Sequence, residues 1–284
     1  MTRVIADSSD LGAVLDVETA PAKINLALHV TGRRADGYHL LDTLVVHGGA
    51  ADEVIARARD GAPIDAETPV SLALDGPFAA GLSTEPDNLV LRAACLLAAE
   101  AGRTGRPITP LALTLVKRLP IASGVGGGSS DAAATLRLLD RLWGLGLGRA
   151  RLAALALPLG ADVPMCVWGV PLRARGIGEA IELLPALPPF RLELANPGVA
   201  VSTPAVFKAL ASRDNPPLPP LPDHFADLPA LVDWLGETRN DLEAAAISIV
   251  PSIADTLAEM RARPGCLFAR MSGSGATCFG MLAV

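Results

Sequence analysis

The feature that most constrains this sequence is a glycine-rich segment, SGVGGGSS, at residues 123–130. Four of the five residues in 124–128 are glycine, so no side chain keeps a ligand away from the backbone. The segment runs directly into a helical pattern that places Leu136, Leu139 and Leu142 on one face. The N–H groups of such a loop and the positive end of the helix dipole both attract an anion. The segment therefore predicts a polyphosphate cradle, with a turn that merely caps the helix as the alternative.

Two well-known phosphate-binding loops do not fit the segment. No lysine follows the glycines, which excludes a Walker A loop. Ser129 stands where a dinucleotide-binding loop requires its last glycine. A different nucleotide-binding loop is therefore expected.

The composition limits the classes of partner. Half of the 284 residues are hydrophobic and only 19% are charged, which suits a packed core. A net charge of −6 without a basic run argues against nucleic acid and against an anionic membrane surface as the main partner. No apolar stretch is long enough to span a membrane, and the acidic N-terminus does not resemble a signal peptide. The four cysteines form no CxxC pair, so we expect reduced core thiols in a cytoplasmic protein.

Strand and helix patterns interleave without a strict βαβ rhythm, which indicates an α+β protein of two domains, 1–172 and 173–284. Residues 1–18 are expected to form a loose extension, and the proline-rich run 214–223 an exposed loop. Asn88 is placed to cap a helix that Gly102 closes. The predicted strands are Ala22–Thr31, Leu41–His47, Leu111–Val116 and two short strands around SGSGAT; the predicted helices are Asn88–Ala101, Ala150–Leu157 and Asp241–Arg263.

Four further positions carry chemistry. Lys23, one of only three lysines, lies in an apolar strand pattern, where an ammonium either meets an anion or points to water from a strand edge. Asp162 lies in the bend LGADVP, where it could orient a substrate hydroxyl or simply cap a turn. Residues 271–277, MSGSGAT, form a second glycine-rich turn. Residues 36–39, DGYH, offer an aromatic ring and an imidazole to a planar base, although turn packing is the commoner use.

Taken in order, these motifs resemble the GHMP kinase superfamily, which includes galactokinase, homoserine kinase and the mevalonate kinases. The DGYH and GVGGGSS combination resembles the branch whose acceptor carries a cytidine diphosphate group. The resemblance spans nearly the whole chain from residue 21 and is carried by PAKINLALHVTGRRADGYHLLDTL (21–44), DNLVLRAACLL (87–97), KRLPIASGVGGGSSDAAATL (117–136), LGADVP (159–164), PGVAVSTPAVF (197–207), RNDLE (239–243) and MSGSGATCF (271–279).

The resemblance implies a two-domain GHMP kinase fold, with a ribosomal protein S5 domain 2-like N-terminal domain and a ferredoxin-like C-terminal domain. It implies phosphoryl transfer from ATP, with Mg²⁺, to a small molecule, the cytidine diphosphate derivative of methylerythritol, by a monomer or homodimer. The implied catalytic pair is Lys23 and Asp162. The implied ATP-binding residues are Pro120, Ile121, Ala122, Ser123, Gly124, Val125, Gly126, Gly127, Gly128, Ser129, Ser130, Asn88, Leu89 and Lys117.

The resemblance also implies a substrate site. Tyr38 and Phe207 would sandwich the cytosine, a stacking arrangement that adds roughly 1–3 kcal/mol per base. His39 would contact the edge of the base, and Ser130 is a possible ligand for Mg²⁺. The implied substrate-binding residues are Asn25, Tyr38, His39, Thr203, Phe207, Gly273 and Gly275.

The sequence departs from the family pattern at three points. Ala122 and Ser123 stand where glycines are more common, and Asp131 replaces a common asparagine, which would place a negative charge near the phosphates. The chain ends at Val284, soon after the third motif, so the second sheet is expected to be smaller or represented in part. The alternatives are another kinase of the superfamily, for homoserine or a sugar, and a nucleotide-binding protein of the same fold without catalysis.

Overall fold

The computed structural model describes residues 12–59, 69–121 and 123–284. Ala122 and residues 1–11 of the predicted N-terminal extension lie outside the described residues. The strands are β1 (Val14–Arg33), β2 (His39–Ala58), β3 (Val70–Asp75), β4 (Leu111–Val116), β5 (Leu172–Gly176), β6 (Ala180–Leu183), β7 (Arg191–Ala195), β8 (Cys266–Met271) and β9 (Cys278–Leu282). The helices are α1 (Leu89–Arg103), α2 (Gly127–Leu142), α3 (Gly148–Ala156), α4 (Val163–Trp168), α5 (Thr203–Lys208), α6 (Leu228–Gly236), α7 (Glu243–Ile249) and α8 (Ser252–Arg261). The α+β class is confirmed.

The first two strands are longer than their sequence patterns indicate. β1 extends the predicted Ala22–Thr31 strand in both directions, and β2 extends Leu41–His47 by eleven residues at its C-terminal end. Residues 14–18 are therefore strand, and their assignment to a loose extension is wrong. The side chains of Val14, Leu15 and Val17 remain exposed, which explains why an apolar-inward pattern does not mark this segment.

The residues divide into two compact units, and both long strands contribute to each of them. The first unit comprises the described residues up to Ala20, together with those in Ala51–Leu119 and Gly128–Trp168. The second unit comprises Pro21–Ala50, those described in Pro120–Gly127, and Gly169–Val284. The predicted division at residue 172 lies close to the last of these boundaries. A single cut in the sequence does not describe the units, because strand residues 21–50 and loop residues 120–127 group with the C-terminal part.

In the first unit, β4 lies between two strands. It pairs with β3 in parallel, from Val70 opposite Leu111, and with the end of β2 antiparallel, from Glu53 opposite Val116. Helices α1 to α4 cover this sheet with an aliphatic core that includes Leu97, Leu136 and Leu139. The predicted helix face is confirmed at Leu136 and Leu139, while Leu142 is only partly buried.

In the second unit, the start of β2 pairs antiparallel with β5, and β5 pairs antiparallel with β6. A separate three-stranded antiparallel sheet has the order β7-β9-β8. The predicted helix Asp241–Arg263 is wrong, because Pro251 divides it into α7 and α8. Proline lacks an N–H and clashes with the preceding turn, so it starts a helix far better than it continues one.

The proline-rich run 214–223 forms no helix or strand, as predicted, but it is held in place. The N–H of Asn215 donates to the carbonyl of Val30 at 3.1 Å, and the N–H of Leu218 donates to the carboxylate of Asp42 at 3.0 Å. Leu218 is buried, so the run is not wholly exposed. No helix among the described residues combines the length and the apolar character that crossing a membrane requires.

Candidate active site

The glycine-rich segment is a loop whose glycines are required by close contacts. Gly124 has φ +78°, and a Cβ at this position would lie 2.6 Å from the carbonyl oxygen of Gly275. Gly126 has φ +63°, and a Cβ there would lie 3.2 Å from Cε of Lys23. Any other residue would be strained at both positions and would displace its neighbours. α2 begins at Gly127, so the predicted sequence of loop followed by helix is confirmed.

The second glycine-rich turn packs directly on this loop. The Ser272 hydroxyl donates to the carbonyl of Gly124 at 3.2 Å, and the N–H of Thr277 donates to the carbonyl of Ser123 at 3.0 Å. Gly273 has φ +56°, and a Cβ there would lie 2.7 Å from the oxygen of Gly124. Two turns about 150 residues apart in sequence therefore form one glycine-lined surface within the second unit.

Lys23 lies beside the loop and not at a water-facing strand edge. It is 4% exposed, and its N–H donates to the carbonyl of Val125 at 2.8 Å. Its ammonium donates to Oδ1 of Asn25 at 3.1 Å. The Asn25 amide group donates in turn to the hydroxyl of Thr43 at 2.8 Å, which orients Oδ1 towards the lysine. The lysine is thus a buried cation held at the glycine-lined surface.

Asn240, from the RNDLE segment, positions the second turn. Its amide group donates to the carbonyls of Met271 and Gly273, both at 2.8 Å, and its Oδ1 accepts from the N–H of Leu242. These three hydrogen bonds of the side chain all join it to backbone groups, so the side chain acts as a brace. Sequence reasoning gave this residue no role, because a single asparagine does not show which distant carbonyls it meets.

Of the rings predicted to bind a base, Tyr38 lies in the turn before β2, His39 starts β2 and Phe207 lies on α5. Phe207 stacks on His39, with ring centroids 4.5 Å apart and an interplanar angle of 24°. Tyr38 is 60% exposed at the end of the turn that precedes β2. Nε2 of His39 is buried and has no hydrogen-bond partner among the described residues. The Thr203 hydroxyl, at the first residue of α5, lies 2.7 Å from the hydroxyl of Ser274, which ties α5 to the second glycine-rich turn.

Asn88 and Leu89, predicted to lie near the adenosine, start α1 in the first unit. Oδ1 of Asn88 accepts from the N–H of Val90 at 2.9 Å, which confirms the predicted cap. α1 continues past Gly102 to Arg103, so the predicted end at Ala101 is two residues short. The side chain of Leu89 lies against Gly128, where a Cβ would be 3.3 Å from its Cδ1.

Lys117 belongs to a buried ionic cluster of the first unit. Its ammonium donates to the carboxylates of Asp52 and Asp131, the latter at 2.8 Å, and all three side chains are at most 4% exposed. Asp52 also accepts from the N–H groups of Arg118 and Leu119. Oδ1 of Asp131 is buried without a partner among the described residues. We call these three residues the Lys117 cluster.

Burial raises the pKa of Asp131 to about 7, although the positive charge of Lys117 opposes the shift. The carboxyl that was expected to bring a negative charge near the phosphates lies against the Lys117 ammonium inside the first unit. The adenosine contact predicted for Lys117 remains a prediction. With the ammonium committed to two carboxylates, we expect such a contact to come from the backbone of this segment.

Asp162 lies just before α4, and its carbonyl accepts from the N–H of Cys166 at 3.2 Å. It lies in the bend between the 3₁₀ turn Leu157–Leu159, which follows α3, and the first residue of α4. Ser130 is buried on α2, and its hydroxyl donates to Sγ of Cys166 at 3.4 Å. Within the described parts of the chain, no group of three His, Cys, Asp or Glu side chains could hold a metal ion. Ser129 is half-buried, and Pro120 accepts from the hydroxyl of Ser123 at 2.7 Å.

Two family models match the chain: "GHMP kinases N terminal domain" over residues 88–170 and "GHMP kinases C terminal" over residues 225–283. The chain therefore belongs to the GHMP kinases. Within them it groups with proteins named 4-diphosphocytidyl-2-C-methyl-D-erythritol kinase. That of Paracoccus denitrificans is 55% identical over 94% of this chain and 86% of its own length. That of Ruegeria pomeroyi is 55% identical over 92% and 87%, respectively.

Solved structures agree with this assignment. A crystal structure of 4-(cytidine 5'-diphospho)-2C-methyl-D-erythritol kinase aligns with a TM-score of 0.70 at 36% identity, over 94% of this chain and 90% of that chain. Homoserine kinase from Cytophaga hutchinsonii aligns with a TM-score of 0.62 at 17% identity, over 99% and 87%. At that identity the homoserine kinase is similar in fold alone.

Proposed function

We propose that this protein transfers the γ-phosphoryl group of ATP to the 2-hydroxyl of 4-diphosphocytidyl-2-C-methyl-D-erythritol, in the non-mevalonate isoprenoid pathway. The bond from the γ-phosphorus to the bridging oxygen of ADP breaks, and a bond to the acceptor oxygen forms. The hydroxyl proton leaves, and the products are ADP and the phosphorylated acceptor. Near full-length relatives at 50–55% identity carry this kinase name, which supports the acceptor.

The observation that carries the kinase assignment is the buried lysine beside a glycine-lined loop. Gly124 and Gly126 leave the backbone open, and Lys23 places a cation against Gly126. A phosphate bound there would gain backbone N–H donors and a positive charge. Phosphoryl transfer needs positioning and charge stabilisation far more than covalent chemistry from the protein.

We assign the chemical roles to Lys23 and Asp162. Lys23 would stabilise the charge that develops on the transferred group. Asp162 would accept or orient the proton of the acceptor hydroxyl, a contribution of roughly 100- to 10,000-fold for a positioned acid or base.

We further propose that Mg²⁺ comes with the nucleotide. The fit is limited: Ser130, the predicted ligand, has a buried hydroxyl that donates to Cys166. Mg²⁺ is commonly held by substrate phosphates, waters and one or two protein ligands, so a dedicated metal cluster is not required. We also propose a cytoplasmic location, because the four cysteines include no CxxC pair, a pattern that is typical of reduced thiols in a reducing compartment.

The test is ADP release with three acceptors, namely 4-diphosphocytidyl-2-C-methyl-D-erythritol, homoserine and galactose, by the wild type and by Lys23→Met and Asp162→Asn. We expect turnover of the cytidine acceptor alone and losses of roughly 100-fold or more in both variants. Asp223→Asn, an exposed carboxylate in the proline-rich run, is the matched control and should retain activity. Turnover of homoserine or galactose instead would refute the acceptor, and unchanged rates in both variants would refute the assigned roles.

The second candidate is a nucleotide-binding protein without catalysis. It predicts tight ATP binding by the wild type and by Asp162→Asn, with no ADP release on any acceptor. The same assay therefore separates the two functions.

A further inference from the structure

Positive charge is concentrated around the stacked rings of His39 and Phe207. Residues 33–39 and 207–214 together carry four basic and two acidic side chains, in a chain whose net charge is −6. Both segments belong to the second unit, and the ring stack joins them. This surface therefore has the opposite sign to the protein as a whole.

Arg33 is held beside the turn that carries Tyr38 and His39. Its Nε donates to the carbonyl of Gly37 at 3.1 Å, and a Cβ on Gly37 would lie 3.5 Å from its Nη2. The turn is closed by the N–H of Arg34, which donates to the carbonyl of Tyr38 at 2.8 Å. The guanidinium of Arg33 is thus anchored two residues from the stacked histidine.

Arg213 lies near the other residue of the stack, Phe207. Its Nη2 donates to the carbonyl of Lys208 at 3.3 Å, at the C-terminal end of α5. Phe207, the residue before that carbonyl, supplies the second ring of the stack, 4.5 Å from His39. Each arginine is therefore fixed to the backbone next to one of the two stacked residues.

Within the described part of the chain, Arg33 and Arg213 make no ion pair, whereas the neighbouring Arg34 pairs with Asp36 at 2.8 Å. Burial lowers the pKa of His39, and the positive charges of Arg33 and Arg213 act in the same direction. Both arginines are hydrogen-bonded to backbone next to the stack, and their side chains stay exposed to an incoming anion.

We infer that Arg33 and Arg213 bind the diphosphate of a nucleoside diphosphate acceptor whose base is held beside His39 and Phe207. This inference rests on the proposed function, which supplies the cytidine diphosphate group. In a nucleoside diphosphate, the diphosphate is attached to the ribose, only a few bonds from the base. The diphosphate must therefore lie close to the residues that flank the base. Guanidinium groups suit this anion, because they offer several N–H donors in a planar fork and keep their charge.

The experiment measures the affinity of CDP and of cytidine, by calorimetry, for the wild type, Arg33→Gln, Arg213→Gln and the double variant. A saturating non-hydrolysable ATP analogue blocks the donor site. Arg261→Gln is the matched control, since Arg261 is also exposed and, among the residues that the structure describes, forms no ion pair. KM for the acceptor, KM for ATP and kcat are measured in parallel.

Each single variant should weaken CDP by about 10-fold, as expected for one charge-assisted contact, while cytidine affinity and KM for ATP stay unchanged. The CDP-to-cytidine affinity ratio should fall further in the double variant and should not change in Arg261→Gln. Parallel losses for CDP and cytidine would overturn the inference, because the arginines would then act by shaping the base site. An unchanged CDP affinity would also overturn it.

Failure of the proposed function looks different. In that case the wild type itself would not phosphorylate the cytidine acceptor and would show no preference for CDP over cytidine. A wild type that turns over this acceptor, with variants that keep its KM, refutes only the roles of Arg33 and Arg213.

Discussion

The Lys117 cluster makes a quantitative prediction for the variant Lys117→Met. The substitution keeps the aliphatic stem and removes the ammonium, so Asp52 and Asp131, 0% and 4% exposed, lose their common cation. Removing one partner of a buried ion pair typically destabilises a protein by roughly 3–5 kcal/mol. The backbone donors Arg118 and Leu119 still satisfy Asp52, so the cost arises mainly at Asp131, whose Oδ1 already lacks a partner.

The cost depends on pH, because Asp131 can be neutralised by a proton. Burial raises the pKa of this carboxyl to about 7 even with the lysine present, and loss of the lysine raises it further. The variant should therefore approach the full roughly 3–5 kcal/mol deficit only above pH 7 and should lose much less at pH 5. At pH 8 this corresponds to a melting temperature lower by roughly 6–20 °C.

Urea unfolding at pH 5 and pH 8 measures this difference, with Lys208→Met as the control for an exposed lysine. Lys117→Met/Asp131→Asn should regain part of the lost stability at pH 8, because one of the stranded charges is gone. A Lys117→Met protein within about 1 kcal/mol of the wild type at pH 8 would refute the reasoning. A deficit that is equal at both pH values would refute the role of Asp131 protonation.

Three further predictions concern single residues. The side chain of the Asp131→Asn variant cannot titrate. Because the pKa of the wild-type carboxyl is raised in the folded state, the wild type should lose stability relative to this variant as pH rises from about 4 through 7. A series of urea unfolding experiments in which the stability difference does not change with pH would contradict this. Asn240→Asp places a carboxylate against the carbonyls of Met271 and Gly273, so we expect roughly 2–4 kcal/mol lower stability and a reduced kcat, and unfolding and kinetics together check both. Gly124→Ala puts a Cβ 2.6 Å from the oxygen of Gly275 and should raise KM for ATP, whereas Gly102→Ala, with nothing within 4 Å, should be neutral or stabilising; equal effects would show that the loop geometry is not required.

Local signals in the sequence predicted local structure well. The strand Leu111–Val116 has the predicted bounds, and Asn88 caps α1 as its side chain and position indicate. The loop before α2 was also predicted correctly, because glycine is the residue that readily adopts the φ values of Gly124 and Gly126. Each of these features depends on residues close in sequence.

Features that depend on contacts between residues distant in sequence could not be predicted from local patterns. The ion pair of Lys117 with Asp52, 65 residues away, has no local mark in the sequence, and the adenosine contact implied for Lys117 stays a prediction. The packing of Gly273 on Gly124, and the brace that Asn240 provides, depend on tertiary structure alone. The error over 241–263 is of a different kind, because the helical pattern of alanines and leucines concealed the break that Pro251 itself indicates.

The proposed activity of this protein is phosphorylation of the cytidine diphosphate acceptor at its tertiary alcohol. The most direct measurement is a ³¹P NMR spectrum of the products formed from ATP and 4-diphosphocytidyl-2-C-methyl-D-erythritol. We predict a new phosphomonoester signal that grows in step with ADP, with the diphosphate signals of the acceptor retained. ADP released together with inorganic phosphate, or a spectrum in which the acceptor stays unmodified, would contradict the proposed activity.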